Sequence, residues 1–270
     1  MKTLNVISIE KQYQTDGHAP YLVLTEDFEK YVLKTPRYTL DKASIQREII
    51  CHFFLQSWNI STPSIALLSI ENKLLKNGIS NSDLLPFHFG SKHLENSIDA
   101  QKMFGLSKKV NRKQIHNLND IFKIAYFDIW TSNGDRKPSN QNLLFSPSGN
   151  KLILTAIDHA ATFESIAFKD LNPKWGANFS DNDSILYLDY VKYLLPKKKH
   201  LNTWQKEFLD KTYLCIEYVK HNFDEILAKI PVELRLSESE SESLKRYLFN
   251  EERIQKVKET FIRIVADIIS

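Results

Sequence analysis

The chain has 270 residues, of which 42% are hydrophobic and 11% aromatic. This composition excludes intrinsic disorder, and the length suffices for one large domain or two small lobes with a substantial core. The formal charge of +3 comes from 36 basic and 33 acidic residues. This near balance does not give the dense positive field of a dedicated nucleic-acid binder. A nucleic-acid role is therefore not expected.

Membrane insertion and secretion are not expected either. No run approaches the ~20 apolar residues that a membrane span needs. The N-terminus MKTLNVISIEKQYQ lacks the apolar segment of a signal peptide. Cys51 and Cys215 lie far apart in apolar surroundings, so we interpret them as reduced core thiols. These features predict a cytoplasmic protein.

The first seventy residues predict strands with one helix. Two β-rich apolar runs, at 21–24 and 31–33, flank a polar turn at 26–30, which indicates a hairpin. Ile45, Ile49 and Phe53 then recur at helical spacing, and Ser44 is a candidate N-cap for that helix. The segment STPSIALLSI, introduced by Pro63, predicts a further strand.

Beyond about residue 75 the chain becomes more helical. NDIFKIAYFDIW, from Asn119, predicts an apolar helix, and LLF and KLILTAI around SPSGN predict a second hairpin. From about residue 183 three segments read as helices: SILYLDYVKYLL, WQKEFLDKTYLCIEYVKHNFDEILAKI and SLKRYLFNEERIQKVKETFIRIVADII. The low-complexity stretch SESESES, at 237–243, reads as a link that caps the last helix.

These elements predict an α+β protein with a bilobal plan. Residues 1–85 would form a small β-rich N-terminal lobe with one main helix. Residues 86–100 would form a connector, and residues 101–270 a larger, mostly helical C-terminal lobe. A crevice between two such lobes is a favoured position for an active site.

Polar chemistry is concentrated in NGDRKPSNQNLLF, at 133–145, between an apolar helix and an apolar strand. Asp135 and Asn140 fit the D-x-K-P-x-N pattern of a protein-kinase catalytic loop. There the aspartate accepts the proton of the acceptor hydroxyl, and the asparagine ligates Mg²⁺. Lys137 would neutralise charge on the transferred phosphate. Spacing from Asp135 favours Asn140 as the metal ligand, and adjacency to the strand favours Asn142; we take Asn140 first and keep Asn142 open.

Three further residues complete the set that phosphoryl transfer from ATP requires. Asp158, in LTAIDHA, follows a strand and would be the second metal ligand. Lys34 ends a hairpin strand and would anchor the phosphates, with Glu48 on the following helix as its partner. The loop TDGHAP, which carries Gly17, would cover the phosphates, although it is poor in glycine. The predicted cofactors are ATP and Mg²⁺, with Mn²⁺ as an alternative.

The sequence resembles the HipA-like kinases, in particular the compact bacterial branch with a single HipA-like domain. The resemblance rests on N-x-D-R at 133–136, two asparagines before Leu-Leu at 140–144, and I-D-H at 157–159. Phe89 and Gly90 also resemble the connector of that family, where the adenine would lie. Ala160 stands where the family often has glycine. The resemblance implies one kinase-like domain overall and a serine/threonine protein substrate. In some members it also implies an antitoxin-like partner.

Several alternatives stay open. One polar loop alone is often only a turn, but its combination with Asp158, Lys34 and Glu48 favours a catalytic site. His159 is interpreted as an orienting residue, because Asp135 already suits the role of base. A small-molecule or lipid-headgroup kinase, acting on a small hydroxyl acceptor, would use a similar loop. A nucleotide-binding pseudokinase that serves as an interaction module is the third reading.

Overall fold

The computed structural model describes residues 1–13, 20–34, 42–71, 74, 87–106, 112–177, 179–180 and 183–270. These residues form a mixed α+β fold, which confirms the predicted class. The N-terminal elements are β1 (Lys2–Gln12), β2 (Tyr21–Thr25), β3 (Lys30–Lys34), α1 (Lys42–Ser57), β4 (Ile65–Ser69) and β5 (His88–Lys92).

The five N-terminal strands form a closed barrel in the order β1-β2-β3-β5-β4. The parallel pairing of β1 with β4 closes it, and the other pairs are antiparallel. Alternate side chains such as Val23, Leu33 and Leu68 point inward and are fully buried, which gives the barrel its own apolar core. The barrel thereby holds Lys34, at the end of β3, in a fixed position.

The predicted hairpin and the strand after it are confirmed. β2 and β3 pair from Tyr21 opposite Leu33 to Leu24 opposite Lys30, and β4 lies within STPSIALLSI. Gly90 lies inside β5, between β3 and β4, and a Cβ atom there would lie 2.5 Å from Cδ1 of Leu68. Phe89 is also in β5 and only 3% exposed. Both residues therefore lie in a strand of the barrel, and their place beside the adenine stays a prediction.

Helix α1 packs its apolar face on the main hydrophobic core. Ile45 and Ile49 are buried there, as their helical spacing predicts, whereas Phe53 is only partly buried and the neighbouring Phe54 is fully buried. The helix is already helical at Lys42, so the expectation that Ser44 caps it is wrong. Ser44 lies inside the first turn, and a helix that begins earlier leaves its cap at an earlier residue.

The rest of the chain is largely helical, with one small sheet. The sheet strands are β6 (Ile98–Asp99), β7 (Leu143–Ser148) and β8 (Lys151–Ala156). The helices are α2 (Ala100–Leu106), α3 (Asp120–Thr131), α4 (Asp189–Lys192), α5 (Lys198–His221), α6 (Phe223–Ala228), α7 (Glu238–Phe249) and α8 (Glu251–Ile269).

Helix α3 is the central element of this part. Ten of its 12 residues are buried, and Phe122, Tyr126 and Trp130 contact aromatic side chains of other elements. The predicted second hairpin is confirmed as β7 and β8, joined through Gly149 and Asn150. Because α3 is fixed on all sides, the loop that follows it starts from a rigid support.

The C-terminal helices differ from the prediction in three places. SILYLDYVKYLL is not one helix, because it contains a 3-10 turn at Ile185–Tyr187 and then only the four-residue α4. Asn222 separates α5 from α6, and Asn250 separates α7 from α8. Asn250 caps α8 by accepting a hydrogen bond from the Arg253 N–H. SESESES is not a link: Ser237 forms a capping box with Glu240, and the following residues lie inside α7. Local polar composition suggested a linker, but the cap places the same residues in a helix.

The helices and the two cysteines bear on the expectations about membranes and disulfides. Among the described residues, no helix is long and apolar enough to cross a bilayer. Cys51 is buried, Cys215 is half-buried, and both are free thiols.

Candidate active site

The catalytic loop begins where α3 ends. Ser132 takes a left-handed conformation (φ 51°) and reverses the chain, so Asp135 follows directly on the rigid helix. The Nδ2 atoms of Asn140 and Asn142 donate to the two carboxylate oxygens of Asp135, over 2.9 and 3.0 Å. The structure thus brings together the three loop residues that the sequence singled out.

A buried ion pair supports this loop from below. Arg136 is fully buried, and its Nη1 donates to Oδ1 of Asp128 over 2.5 Å. Asn133 donates to the same oxygen over 3.0 Å, and its own Oδ1 accepts from the Asp135 N–H at 3.4 Å. Burial raises the pKa of Asp128 to about 7, although Arg136 opposes that shift. The conformation of the loop is therefore fixed by side chains of α3 and of the loop itself.

The second cluster joins the barrel, α1 and the segment after β8. Nζ of Lys34 lies 2.5 Å from Oε1 of Glu48 and 2.7 Å from Oδ1 of Asp158. Burial alone would lower the pKa of Lys34, but the two carboxylates raise it well above its ordinary value. Burial likewise opposes ionisation of Asp158, yet Lys34 lowers its pKa to about 2. Lys34 and Asp158 are thus a charged pair over the usual pH range.

The two clusters are connected through His159. Nη2 of Arg136 lies 2.9 Å from Nε2 of His159 and donates to the Ile157 carbonyl over 2.6 Å. The His159 N–H donates to Oε2 of Glu48 over 2.9 Å. His159 is 2% exposed, and burial together with Arg136 holds its pKa well below the ordinary value. A neutral, enclosed imidazole fits an orienting role.

The side chains in this region would suit a hard divalent cation. Asp158 takes a left-handed conformation (φ 59°) and keeps its side chain 37% exposed. The amide nitrogens of Asn140 and Asn142 are used by Asp135, so their carbonyl oxygens remain as ligands. The main-chain N–H of Ile157 donates to the main-chain carbonyl of Asn142 over 3.1 Å. This bond places Asn142 beside Asp158. Amide and carboxylate oxygens are the donors that Mg²⁺ prefers.

The remaining predicted residues are placed as follows. Lys137 is half-buried, and its backbone forms a two-way bridge with Asn140 inside the loop. Phe89 and Gly90 lie in β5, next to Lys34 across the β3–β5 ladder. Gly17 lies outside the described residues.

Sequence reasoning missed a polar network that the C-terminal helices contribute. Arg253 donates from Nη2 to the Trp130 carbonyl over 2.7 Å and to Oγ of Ser132 over 3.0 Å. Ser132 is 2.7 Å from the hydroxyl of Tyr247, which donates to Oε1 of Glu164 over 2.8 Å. The long separation along the chain leaves no local motif, so Tyr247 and Arg253 could be found only through the fold.

A cavity of about 330 Å³ adjoins the catalytic loop. Asp135 and Gly134 form one wall, and Glu164, Gly176, Phe179 and other residues of the segment after β8 form the opposite side. Phe163, Glu164 and Ser165 are all left-handed, as are Gly176 and Ala177. This backbone, which costs energy at non-glycine residues, gives the wall a defined shape.

The fold and this site define a kinase-type phosphotransferase. The HipA-like kinase family model matches residues 6–192, more than half of the chain. The chain belongs to the HipA-like kinase family. No curated protein matches the chain.

Solved structures match the chain at low sequence identity. The proinflammatory kinase CtkA of Helicobacter pylori is 14% identical, with a TM-score of 0.57, and the match covers 99% of this chain and 100% of that chain. Hydra Fam20, solved with a sugar, is 12% identical with a TM-score of 0.49, covering 96% and 87%. The Golgi casein kinase is 16% identical with a TM-score of 0.46, covering 97% and 76%. The likeness to CtkA supports a kinase fold.

Proposed function

We propose that the chain is an ATP- and Mg²⁺-dependent protein kinase that phosphorylates serine or threonine hydroxyl groups, built in a bilobal arrangement. The observation that carries the proposal is the joint position of Lys34, Glu48 and Asp158. These residues come from a barrel strand, a helix and the segment after a hairpin, yet they meet within 2.7 Å. Phosphoryl transfer requires this convergence of a phosphate anchor and a metal carboxylate.

Each side chain has a distinct role in this proposal. Lys34, oriented by Glu48, contacts the phosphates of ATP. Asp158 holds the metal together with an asparagine, and the bond between Asn142 and Ile157 favours Asn142 over Asn140 for that place. Mg²⁺, when bound there, would neutralise negative charge on the phosphates of ATP. Lys137, on the same loop as Asp135, neutralises charge on the transferred group.

The reaction forms one P–O bond and breaks another. The acceptor hydroxyl oxygen bonds to the γ-phosphorus, and the bond from that phosphorus to the β–γ bridging oxygen breaks, so ADP leaves. Asp135 accepts the hydroxyl proton. Asn140 and Asn142 hold both oxygens of this carboxylate, which orients it before the acceptor arrives.

The test is phosphate transfer from radiolabelled ATP, with Mg²⁺ or Mn²⁺, to a protein mixture and to a panel of small alcohols. We expect label on protein hydroxyls, and we expect Asp135→Asn and Asp158→Ala to lose at least about 100-fold of the rate. Glu225→Gln, an exposed site on α6, serves as the control for the loss of one carboxylate. Label on small alcohols alone would show a small-molecule kinase. ATP binding without any turnover would show a pseudokinase.

We place the enzyme in the cytoplasm, and regulation by a neighbouring, antitoxin-like protein is part of the proposal. The two free thiols support a reducing compartment. Co-purification from the native source, compared with the Asp135→Asn variant, tests for such a partner.

A further inference from the structure

Asp135 is the only predicted catalytic or nucleotide-binding residue, among those that the structure describes, that lines the cavity beside the loop. Asp135 lines it, but Lys34, Asn140, Asn142 and Asp158 do not. Asp135 therefore belongs both to the nucleotide side and to the cavity. A base that takes a proton from the acceptor must face the acceptor, so this cavity is where an acceptor hydroxyl would enter.

The charge of the cavity is one-sided. Besides Asp135, the carboxylates of Glu164 and Asp183 line it, and no lysine, arginine or histidine does so among the described residues. Phe179 adds an apolar surface. The volume of about 330 Å³ is at the lower end for ligand pockets and suits one or two side chains.

Both added carboxylates are held in place. Oε1 of Glu164 accepts from the Tyr247 hydroxyl over 2.8 Å, and Oε2 has no hydrogen-bond donor within the described part of the chain. Oδ2 of Asp183 accepts from the Ser180 N–H over 2.9 Å. A carboxylate that is fixed before binding loses less entropy when a cation arrives.

We propose that the acceptor is a peptide segment in which a lysine or arginine lies next to the phosphorylated hydroxyl. This inference rests on the proposed kinase function and adds a substrate class to it. Glu164 and Asp183 bind the cationic side chain, and the negative wall disfavours an acidic neighbour. Asp135 meanwhile accepts the hydroxyl proton.

The experiment uses three peptides that differ only beside a single serine, with arginine, glutamine or glutamate at the flanking positions. We expect kcat/KM to fall in that order, by about five-fold for each charge step, and the preference to weaken at high salt. Glu164→Gln and Asp183→Asn keep the hydrogen-bond acceptors but remove the charge. In these variants the kcat/KM values of the three peptides should become similar. The change should come mainly from a higher KM for the arginine peptide.

Asp170→Asn is the matched control, because Asp170 is exposed and does not line the cavity. It should keep the wild-type preference. A binding measurement with the serine replaced by alanine separates recognition from catalysis, and thermal unfolding verifies that the variants are folded. Equal transfer to all three peptides, or a preference that survives both charge removals, overturns the substrate class while the kinase function stands. Transfer to no peptide at all, with ATP bound, overturns the protein-kinase function and with it this inference.

Discussion

The main-chain N–H of His159 donates to the carboxylate of Glu48 over 2.9 Å, although 111 residues separate them. The same carboxylate pairs with Lys34. Glu48 thus connects the position of α1 and of the barrel lysine to the segment that carries Asp158. A shift of α1 would move the phosphate anchor and the metal ligand together.

Two substitutions at Glu48 separate its two contacts. Glu48→Gln keeps an acceptor for the His159 N–H but loses the charge beside Lys34, and Glu48→Ala loses both. We expect kcat/KM for ATP to fall about 10-fold in the first variant and about 100-fold in the second, since a hydrogen bond to a charged group contributes about 1.5–3 kcal/mol. Steady-state kinetics at varied ATP measures this. Equal losses would show that the bond to His159 has no catalytic role.

The buried pair of Arg136 and Asp128 should be needed for folding. Arg136→Met leaves a buried carboxylate without its cation, and we expect it to lower the free energy of unfolding by about 3–5 kcal/mol. The double variant Arg136→Met/Asp128→Leu should lose less than the sum of the single changes, because both charges are then gone. Urea denaturation measures each value.

Lys220→Met is the control for that experiment, because the Lys220–Glu217 pair lies on the surface of α5. It should change stability by at most about 0.5 kcal/mol. Strict additivity at Arg136 and Asp128 would contradict the prediction.

Tyr247 should position the catalytic loop. Tyr247→Phe removes the hydroxyl that bridges Ser132 and Glu164 but keeps the aromatic ring, which stacks on Arg253 at 3.9 Å. We expect kcat to fall about 10-fold with the KM for ATP unchanged, because the nucleotide residues are not touched. Tyr218→Phe, on the exposed side of α5, should behave as wild type. A change in KM for ATP alone would argue against this role.

Gly176 should tolerate no side chain. A Cβ atom there would lie 2.2 Å from Oε1 of Glu164 and 2.5 Å from the Tyr247 hydroxyl, at a φ of +74°. Gly176→Ala should therefore cost both the left-handed conformation and the contacts of that network, about 3 kcal/mol or more by chemical denaturation.

Gly149→Ala isolates the conformational part of that cost. Gly149 also has a positive φ (+58°), but a Cβ atom there would meet nothing within 4 Å. We expect a loss of about 1 kcal/mol. If both alanine variants lose the same amount, the packing around Gly176 is looser than the structure shows.

The pair of Lys34 and Asp158 should make stability depend on acid pH. The folded pKa of Asp158, about 2, is below its ordinary value of 3.8, so the stabilisation is complete above the unfolded pKa and is lost as pH falls through the folded pKa. The Asp158→Asn variant lacks the carboxylate and therefore lacks this pH-dependent stabilisation. Its stability deficit relative to wild type should be about 1 kcal/mol near neutral pH, reduced by solvent at this half-exposed site, and should shrink below pH 4. A deficit that is constant with pH would show that the pair contributes nothing through charge.

The sequence predicts the local elements well where the pattern is strong. The β2–β3 hairpin, helix α3 and the β7–β8 hairpin follow from alternation and apolar spacing, which are local properties. Barrel closure does not follow, because the parallel pairing of Lys2 with Ala66 joins distant segments. The breaks at Asn222 and Asn250 escaped detection because asparagine inside an apolar helical pattern gives only a weak stop signal.

The candidate site shows the same division. The sequence singles out Asp135, Asn140, Asn142 and Asp158 because the chemistry of phosphoryl transfer restricts both residue type and order, and the structure places the three loop residues in contact with one another. At Gly90 the structure adds a packing reason for the glycine, because a Cβ atom there would meet the side chain of Leu68; its role beside the adenine stays a prediction. The side chains of α7 and α8 that fix Ser132 have no sequence signature, because each makes a single long-range contact that leaves no local pattern.

The contact between Ser132 and Arg253 spans 121 residues of chain. A ribosome adds about 5–20 residues per second, so the loop must wait roughly 6–24 s after Ser132 is made before Arg253 exists. During that interval the nascent chain already carries Lys34, Asp135 and Asp158 but lacks the cation that ties the loop in place. The loop that carries Asp135 therefore reaches its final, tied conformation only after α8 has been made and has docked.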